Sequence, residues 1–228
     1  MPEAATDLTS SPSRRQPQRT RAQLIEAAAR EFNTHGYTGT DTNRIAREAG
    51  FAPQTFYRHF PDKLAIFHEV YENWWLVEGR AVAAAAGQAR DALAAAKVIL
   101  QFHANWKTFR RSLRILSLED ERTRRARADG RRRQIQSLGQ SLGEQAFAQK
   151  VGQLLTVERL CDAAAEGEFA DVGVTDSEAL ALIVAAVEAY LSPAAAPAPA
   201  QPVVAAADAG QVSKRRIPAR KKMRPASD

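Results

Sequence analysis

The sequence predicts an all-α fold, and three observations carry that prediction. Apolar residues recur at helical spacing along most of the chain. Capping residues and glycines stand where those runs begin and end. Val- and Ile-rich alternating stretches bounded by turns, the mark of strands, are absent. The chain has 228 residues, 45% hydrophobic and 25% charged, which supports a buried core in one or two domains and argues against wholesale disorder.

The elements follow in order. Residues 1–18, rich in Pro, Ser, Gln and Thr without periodicity, are expected to form a flexible arm carrying Arg14 and Arg15. Thr20 with Gln23 is a capping-box signature. Leu24, Ile25, Ala28, Ala29 and Phe32 then recur at helical spacing, predicting a first helix over 21–35 stopped by Gly36. Asp41 can cap a short second helix with Ile45, Ala46 and Ala49 on one face, ended by Gly50. Pro53 suits the first turn of a third helix, 53–59, because its missing N–H is not needed there. Phe60-Pro61 breaks that helix. Asp62 can cap a fourth, whose apolar stripe runs through Leu64, Phe67, Val70, Tyr71, Trp74 and Trp75. Ala81–Ala86 is strongly helix-forming. Leu93 to Phe109 reads as one buried helix, followed by a segment around 111–118. Further helices are expected from Asp120 to Gly143 (with Gly130 as a candidate break), from Gln145 to Glu166, and over 177–191 behind a cap at Thr175 or Asp176. Residues 192–212 are Pro/Ala low complexity, a linker. The cluster KRRIPARKKMR at 214–224 completes a disordered basic tail.

The formal net charge is +6, and its placement is uneven. Residues 1–60 carry +2, residues 61–190 carry −1, and residues 191–228 carry +5. A basic tail points first to nucleic acid as a partner and second to an acidic membrane surface. No apolar run reaches the roughly 18–20 residues of a membrane span, and the N-terminus lacks the apolar core of a secretory signal. A single cysteine, Cys161, excludes an internal disulfide framework and is expected to be a small buried apolar residue. These features lead to the expectation of a cytoplasmic protein with no membrane partner. His35, His59, His68, His103 and Cys161 share no metal-ligand spacing, so no metal is expected. Nucleophile–base pairs, a phosphate-cradling glycine loop and paired carboxylates flanking a pocket are absent, so neither an enzyme nor a cofactor is expected. Residues 107–133 hold 11 Lys/Arg against 4 Asp/Glu and are expected to form a solvated helix face.

The second and third helices, joined by Gly50-Phe51-Ala52, have helix-turn-helix spacing, with glycine where the backbone must turn. In that motif the second helix enters the major groove and offers its first residues to base edges. The stretch 36–67, GYTGTDTNRIAREAGFAPQTFYRHFPDKLAIF, carries more than the generic motif. With Phe32 and Gly36 closing helix 1, Thr40 and Thr42 opening helix 2, Ile45-Ala46, Ala49-Gly50, Tyr57-x-His59-Phe60, and Lys63-Leu64 opening helix 4, it resembles the N-terminal DNA-binding domain of the tetracycline-repressor (TetR) family. The resemblance spans about 47 residues, 20–67; beyond it only helical character and length agree.

The resemblance implies roles. Thr40, Thr42 and Arg44 would touch phosphates or the groove wall, Gln54 and Thr55 would read bases, and Tyr57, His59 and Lys63 would hold phosphates, while Phe56 and Phe60 would be core. Ala52 departs from the family, which usually has a Ser or Thr cap there. The implied organisation is an arm at 1–18, a three-helix DNA-binding domain at 19–66, a larger effector-binding and dimerisation domain at 67–191, and the linker and tail at 192–228. The implied function is a homodimeric repressor on palindromic double-stranded DNA, released by a small-molecule effector. Trp74, Phe102, His103, Trp106 and Phe109 are the candidate effector-pocket residues, each also readable as ordinary core. The dimer would use either the helices around 145–166 and 177–191 or, should the helix boundaries be shifted by one element, a further helix at that end. An architectural DNA-binding protein acting through its basic tail is the alternative.

Overall fold

The computed structural model describes residues 12–138 and 143–193. Among the described residues there are ten helices and no strand: α1 (Pro12–His35), α2 (Thr42–Glu48), α3 (Pro53–His59), α4 (Lys63–Ala86), α5 (Ala92–Asn105), α6 (Lys107–Glu119), α7 (Glu121–Gln136), α8 (Glu144–Glu166), α9 (Glu168–Asp171) and α10 (Asp176–Leu191). The low-complexity segment beyond residue 193 and the basic cluster at 214–224 lie outside the described residues, as do residues 1–11.

Most boundaries follow the caps. The side chains of Asp41, Asp62, Asp91 and Asp120 each accept from a backbone N–H in the first turn of α2, α4, α5 and α7. Thr175 and Glu178 form a reciprocal capping box on α10. Four expectations are corrected. Residues 12–18 are helical rather than part of an arm, and Thr20 lies inside α1 rather than at its cap. Pro17, in the second turn of α1, removes one ladder hydrogen bond and crowds the carbonyl four residues before it, among Arg and Gln neighbours that favour helix. The single helix expected over 93–109 is two, because Trp106 leaves the helical region (φ −115, ψ 22) and serves both as end of α5 and start of α6. Gly130 does not break α7. It sits where α7 crosses α4, and a Cβ there would lie 2.6 Å from Tyr71 Oη.

Two cores form. In the first, Phe32 of α1, Phe56 of α3, Phe67 of α4 and Phe109 of α6 are fully buried. Ring centroids lie 5.0 Å apart for Phe32–Phe67 and 4.8 Å for Phe67–Phe109. Each such ring contributes roughly 1.5–3 kcal/mol through burial. The second core joins Ala95 and Ala96 of α5, Ile135 of α7, Leu154, Val157 and Cys161 of α8, and Ile183 and Val187 of α10. The boundary expected at 66/67 therefore falls inside the continuous α4, whose first half belongs to the first core and whose Ala86 belongs to the second. Lys150 is buried and caps the end of α10, its Nζ donating to the carbonyls of Tyr190 (2.7 Å) and Ser192 (2.6 Å).

Candidate nucleic-acid interface and ligand cavity

The α2–α3 pair is built on buried Ile45, Ala46 and Phe56. Gly50 makes the turn between them at φ +78, where a side chain would be strained, and its N–H donates to Arg47 O at 2.9 Å. α3 starts at Pro53 with no side-chain cap from Ala52. At about 100° per residue, burying Phe56 turns Gln54 and Arg58 to the opposite face, with Thr55 and Tyr57 on the flanks. Gln54, Tyr57 and Arg58 are exposed, and Thr55 and His59 half-buried. Tyr57 is 58% exposed, and its hydroxyl shares a 2.9 Å hydrogen bond with Thr42 Oγ1, which ties α3 to α2. On α2, Asn43 and Arg47 are exposed opposite Ile45 and Ala46. Sequence reasoning missed Arg58; its position four residues after Gln54 and two after the core Phe56 was the available signal.

Two of the expected contact residues are placed otherwise. Thr40 is only 2% exposed, and its hydroxyl donates to Gly36 O at 2.9 Å. Its side chain holds the turn after α1 and is not on the surface. Lys63 Nζ donates to the carbonyls of Tyr37 (2.7 Å) and Thr40 (2.8 Å) and lies 4.1 Å from the centroid of the Tyr37 ring. Its ammonium fastens α4 to the loop before α2, and partial burial lowers its pKa. Arg44 remains half-exposed but is paired with Glu31 and His35, which joins α2 to α1. The loop also touches α6, where Ser112 Oγ accepts from Tyr37 N–H at 3.0 Å.

A cavity of about 360 Å³ opens between α4 and α8, with walls that include Trp74 and His103. The other three expected pocket residues lie elsewhere. Phe109 is sealed in the first core, and Phe102 and Trp106 line a smaller cavity of about 190 Å³ against α1. The α4–α8 cavity also contains charges from the run 107–133 expected to form a solvated face, a further correction. Arg110 is 5% exposed and donates from Nε to Asp162 Oδ1 at 2.7 Å. Arg127 and Arg131 both donate to Glu158, at 2.9 Å from Nη2 and 3.0 Å from Nε. Their register explains the burial, since Thr123, Arg127, Arg131 and Ile135 form one buried or part-buried i, i+4 row on α7, along which Thr123 meets His68 of α4 and the two arginines meet Glu158 of α8.

Two cavity groups are held away from their usual protonation. Burial pushes the Glu78 carboxyl up to about 7, against the opposing pull of Arg110. Burial and the Arg110 charge push His103 down to about 4. His103 Nε2 lies 3.7 Å from Glu78 Oε1, beyond hydrogen-bond length, and its Nδ1 contacts Asp162 Oδ1 at 2.9 Å but poorly aligned. Glu78 Oε1 and Trp74 Nε1 are buried without a hydrogen-bond partner among the described residues. Asp162 is held well below the usual carboxylate range by His103 and Arg110, which outweigh its desolvation. Cys161 is buried beside this network, and burial raises its thiol to about 12, so it is inert rather than reactive. No described helix is long and apolar enough to cross a membrane.

Residues 24–70 match the model of the bacterial regulatory proteins, tetR family. Over 59 residues the chain is 40% identical to the HTH-type transcriptional repressor SCO4008 of Streptomyces coelicolor, which covers 26% of this chain and 31% of that protein. Over 60 residues it is 33% identical to the HTH-type transcriptional regulator AcrR of Shigella flexneri, 26% of this chain and 28% of that one. The matched segments thus span under a third of these relatives' length. A solved structure from Rhodococcus sp., described as a TetR-family transcriptional regulator, superposes with a TM-score of 0.53 at 18% identity, covering 76% of this chain and 100% of that one. Another so described, from Mesorhizobium loti, gives 0.50 at 21% identity, covering 77% and 96%. These two likenesses extend the fold agreement past the matched domain into the second core.

Proposed function

We propose that this chain, whose residues 24–70 form a TetR-family N-terminal domain, is a transcriptional regulator that represses by binding a palindromic operator as a homodimer and lets go when a small molecule fills the α4–α8 cavity. The observation that carries this reading is the outward face of α3. Gln54, Tyr57 and Arg58 are exposed on a short helix fixed from behind by fully buried Phe56, with Tyr57 braced by Thr42 of α2. Gln54, in the first turn, is the base reader, able to pair bidentately with adenine, and Thr55 contacts a thymine methyl. Tyr57, Arg58 and His59, with Thr42 and Arg44 from α2, hold phosphates on either side.

The dimer forms through α8 and α10, which pack on each other and leave Leu155 (42%) and Leu182 (50%) exposed. Ala181, Ala185 and Ala189 are exposed beside Leu182, so a second copy can approach closely. The cavity has the size and mixed apolar–polar wall of a small-molecule site. It connects to the reading head by two helices. α4 carries Trp74 and Glu78 in the cavity and Lys63 on the loop, and α6 carries Arg110 in the cavity and Ser112 on Tyr37. A ligand favouring a different setting of these helices lowers operator affinity by its differential binding energy.

The test is selection of bound duplexes from random DNA, followed by fluorescence anisotropy on the enriched site. A palindrome is expected, and Gln54→Ala should relax discrimination at one base pair per half-site by about 1–3 kcal/mol. Similar affinity for random and selected duplexes, unaffected by Gln54→Ala, refutes the reading.

A further inference from the structure

We propose that the α4–α8 cavity takes a small organic monoanion, a flat apolar body ending in a carboxylate, bound through Arg110, Arg127 and Arg131. This rests on reading the cavity as a ligand site and names the chemistry of what enters it. The first support is charge balance. Four guanidiniums line the cavity, the exposed Arg80 at its edge and Arg110, Arg127 and Arg131 further in. Glu158 is shared by Arg127 and Arg131, and Asp162 serves Arg110 while also contacting Arg114. Only Glu78 could supply further negative charge to the wall, and burial raises its carboxyl to about 7, so that about half of it is still protonated at neutral pH. The cavity is left with positive charge in excess, and burial makes that excess costly without a counter-charge.

The second support is the direction of the unspent hydrogen bonds. Of the five N–H groups on Arg110, Asp162 engages the one on Nε. Trp74 Nε1–H, on the wall, has no partner. A protonated Glu78 is a donor as well. Arg110 and Trp74 thus offer open donors, joined by Glu78 when protonated, so the matching ligand group is an acceptor, and a carboxylate is the acceptor that guanidinium forks hold best. The third support is the apolar remainder of the wall. Tyr71, Trp75, Leu154 and Val157 line the same space, and the Arg110 guanidinium lies 5.0 Å from the Trp74 ring centroid. A bare inorganic anion would leave those surfaces wet, whereas a flat apolar body covers them.

Proton linkage gives a second readout. Glu78 is faced by His103 from α5, Arg110 from α6, Arg127 and Arg131 from α7, and Glu158 and Asp162 from α8. A bound anion disfavours ionised Glu78, so binding takes up a proton near neutrality and tightens as pH falls from about 8 to about 6.

The experiment is isothermal titration of the full-length protein with three isosteric probes: β-naphthoate, its neutral amide, and β-naphthylmethylammonium. The carboxylate should bind at least about tenfold more tightly than the amide, with the ammonium weakest. Arg127→Gln should erase most of that preference, and Glu78→Gln should flatten the pH dependence of carboxylate binding. The wild-type ranking stands as the test should either variant fold poorly. Equal affinities, tightest binding of the ammonium, or no saturable binding by any probe overturns the proposal. Operator release is measured separately by anisotropy. Preferential binding of the carboxylate without release supports the anion site and refutes effector control.

Discussion

Glu78 and His103 hold opposite pH dependences that cancel in the wild-type protein, and substituting either one should expose the other. The Glu78 carboxyl is raised from 4.5 to about 7 in the fold. Folded protein therefore binds more protons than unfolded protein across that interval, and Glu78's contribution to stability, complete below pH about 4.5, is lost as pH rises to about 7. His103 is lowered from 6.5 to about 4. Here the unfolded chain binds more protons, so the contribution is complete above pH about 6.5 and is lost as pH falls to about 4. With side-chain exposures of 13% and 3%, neither group is much screened by solvent, and at about 1.36 kcal/mol per pH unit each displacement is worth about 3 kcal/mol. Between pH about 4.5 and 6.5 the two slopes oppose each other. The measurement is urea unfolding, followed by circular dichroism at fixed protein concentration, from pH 4 to pH 8 for wild type, Glu78→Gln and His103→Gln. Glu78→Gln should gain about 3 kcal/mol relative to wild type on going from pH about 4.5 to 7, and His103→Gln should gain a similar amount on going from pH about 6.5 to 4. A Glu78→Gln difference that is flat, or that falls with rising pH, would mean the pair is an ordinary carboxylate–imidazolium bridge and would refute the neutral pair inferred from its burial.

Two further outcomes separate structural from contact roles. Lys63→Met removes two charge-assisted hydrogen bonds to the Tyr37 and Thr40 carbonyls, which should cost about 2 kcal/mol and leave the salt dependence of operator binding unchanged; a phosphate-contacting lysine would instead lower that slope by about 0.9 with stability intact. Gly130→Ala drives a methyl against Tyr71 Oη at the α4–α7 crossing, so despite the better helix propensity of alanine it should lower the unfolding free energy measured in urea by about 1 kcal/mol net, and Gly130→Ala with Tyr71→Phe should recover part of the loss.

Local chemistry made the first domain readable. Caps at Asp41 and Asp62, a proline at the start of α3 and glycines at the turns each act within four residues, and each stands where the sequence places it. Failure came where one position had two uses. Gly130 reads as a helix stop because glycine usually is one, yet here it permits a close crossing of two helices 59 positions apart in the chain. Thr40 and Lys63 were assigned by resemblance to surface contacts, but hydrogen bonds to Gly36, Tyr37 and Thr40 carbonyls show what their polar atoms do in this fold. Phe109 looked like a pocket aromatic because aromatics line pockets and cores alike; its side is chosen by Phe67, which no local pattern reveals.

The arginine-rich run at 107–133 is the strongest case for reading charge through register. Eleven basic residues over 27 positions look like a solvated face, since an isolated arginine seldom tolerates burial. That prior weighs each residue singly. Three of these arginines are instead drawn inward, because α8 supplies Asp162 and Glu158 one helical turn apart to receive them. Removing one partner from such a set is costlier than never having built it. The carboxylates on α8 and the guanidiniums on α6 and α7 therefore constrain one another. The same constraint fixes α6 by Arg110 on one side, while Ser112, two residues on, holds the Tyr37 amide on another. Any ligand that competes with Asp162 for Arg110 thus pulls on the helix that braces the loop entering α2, and an excess of cationic donors in the cavity is the condition under which an anion can compete.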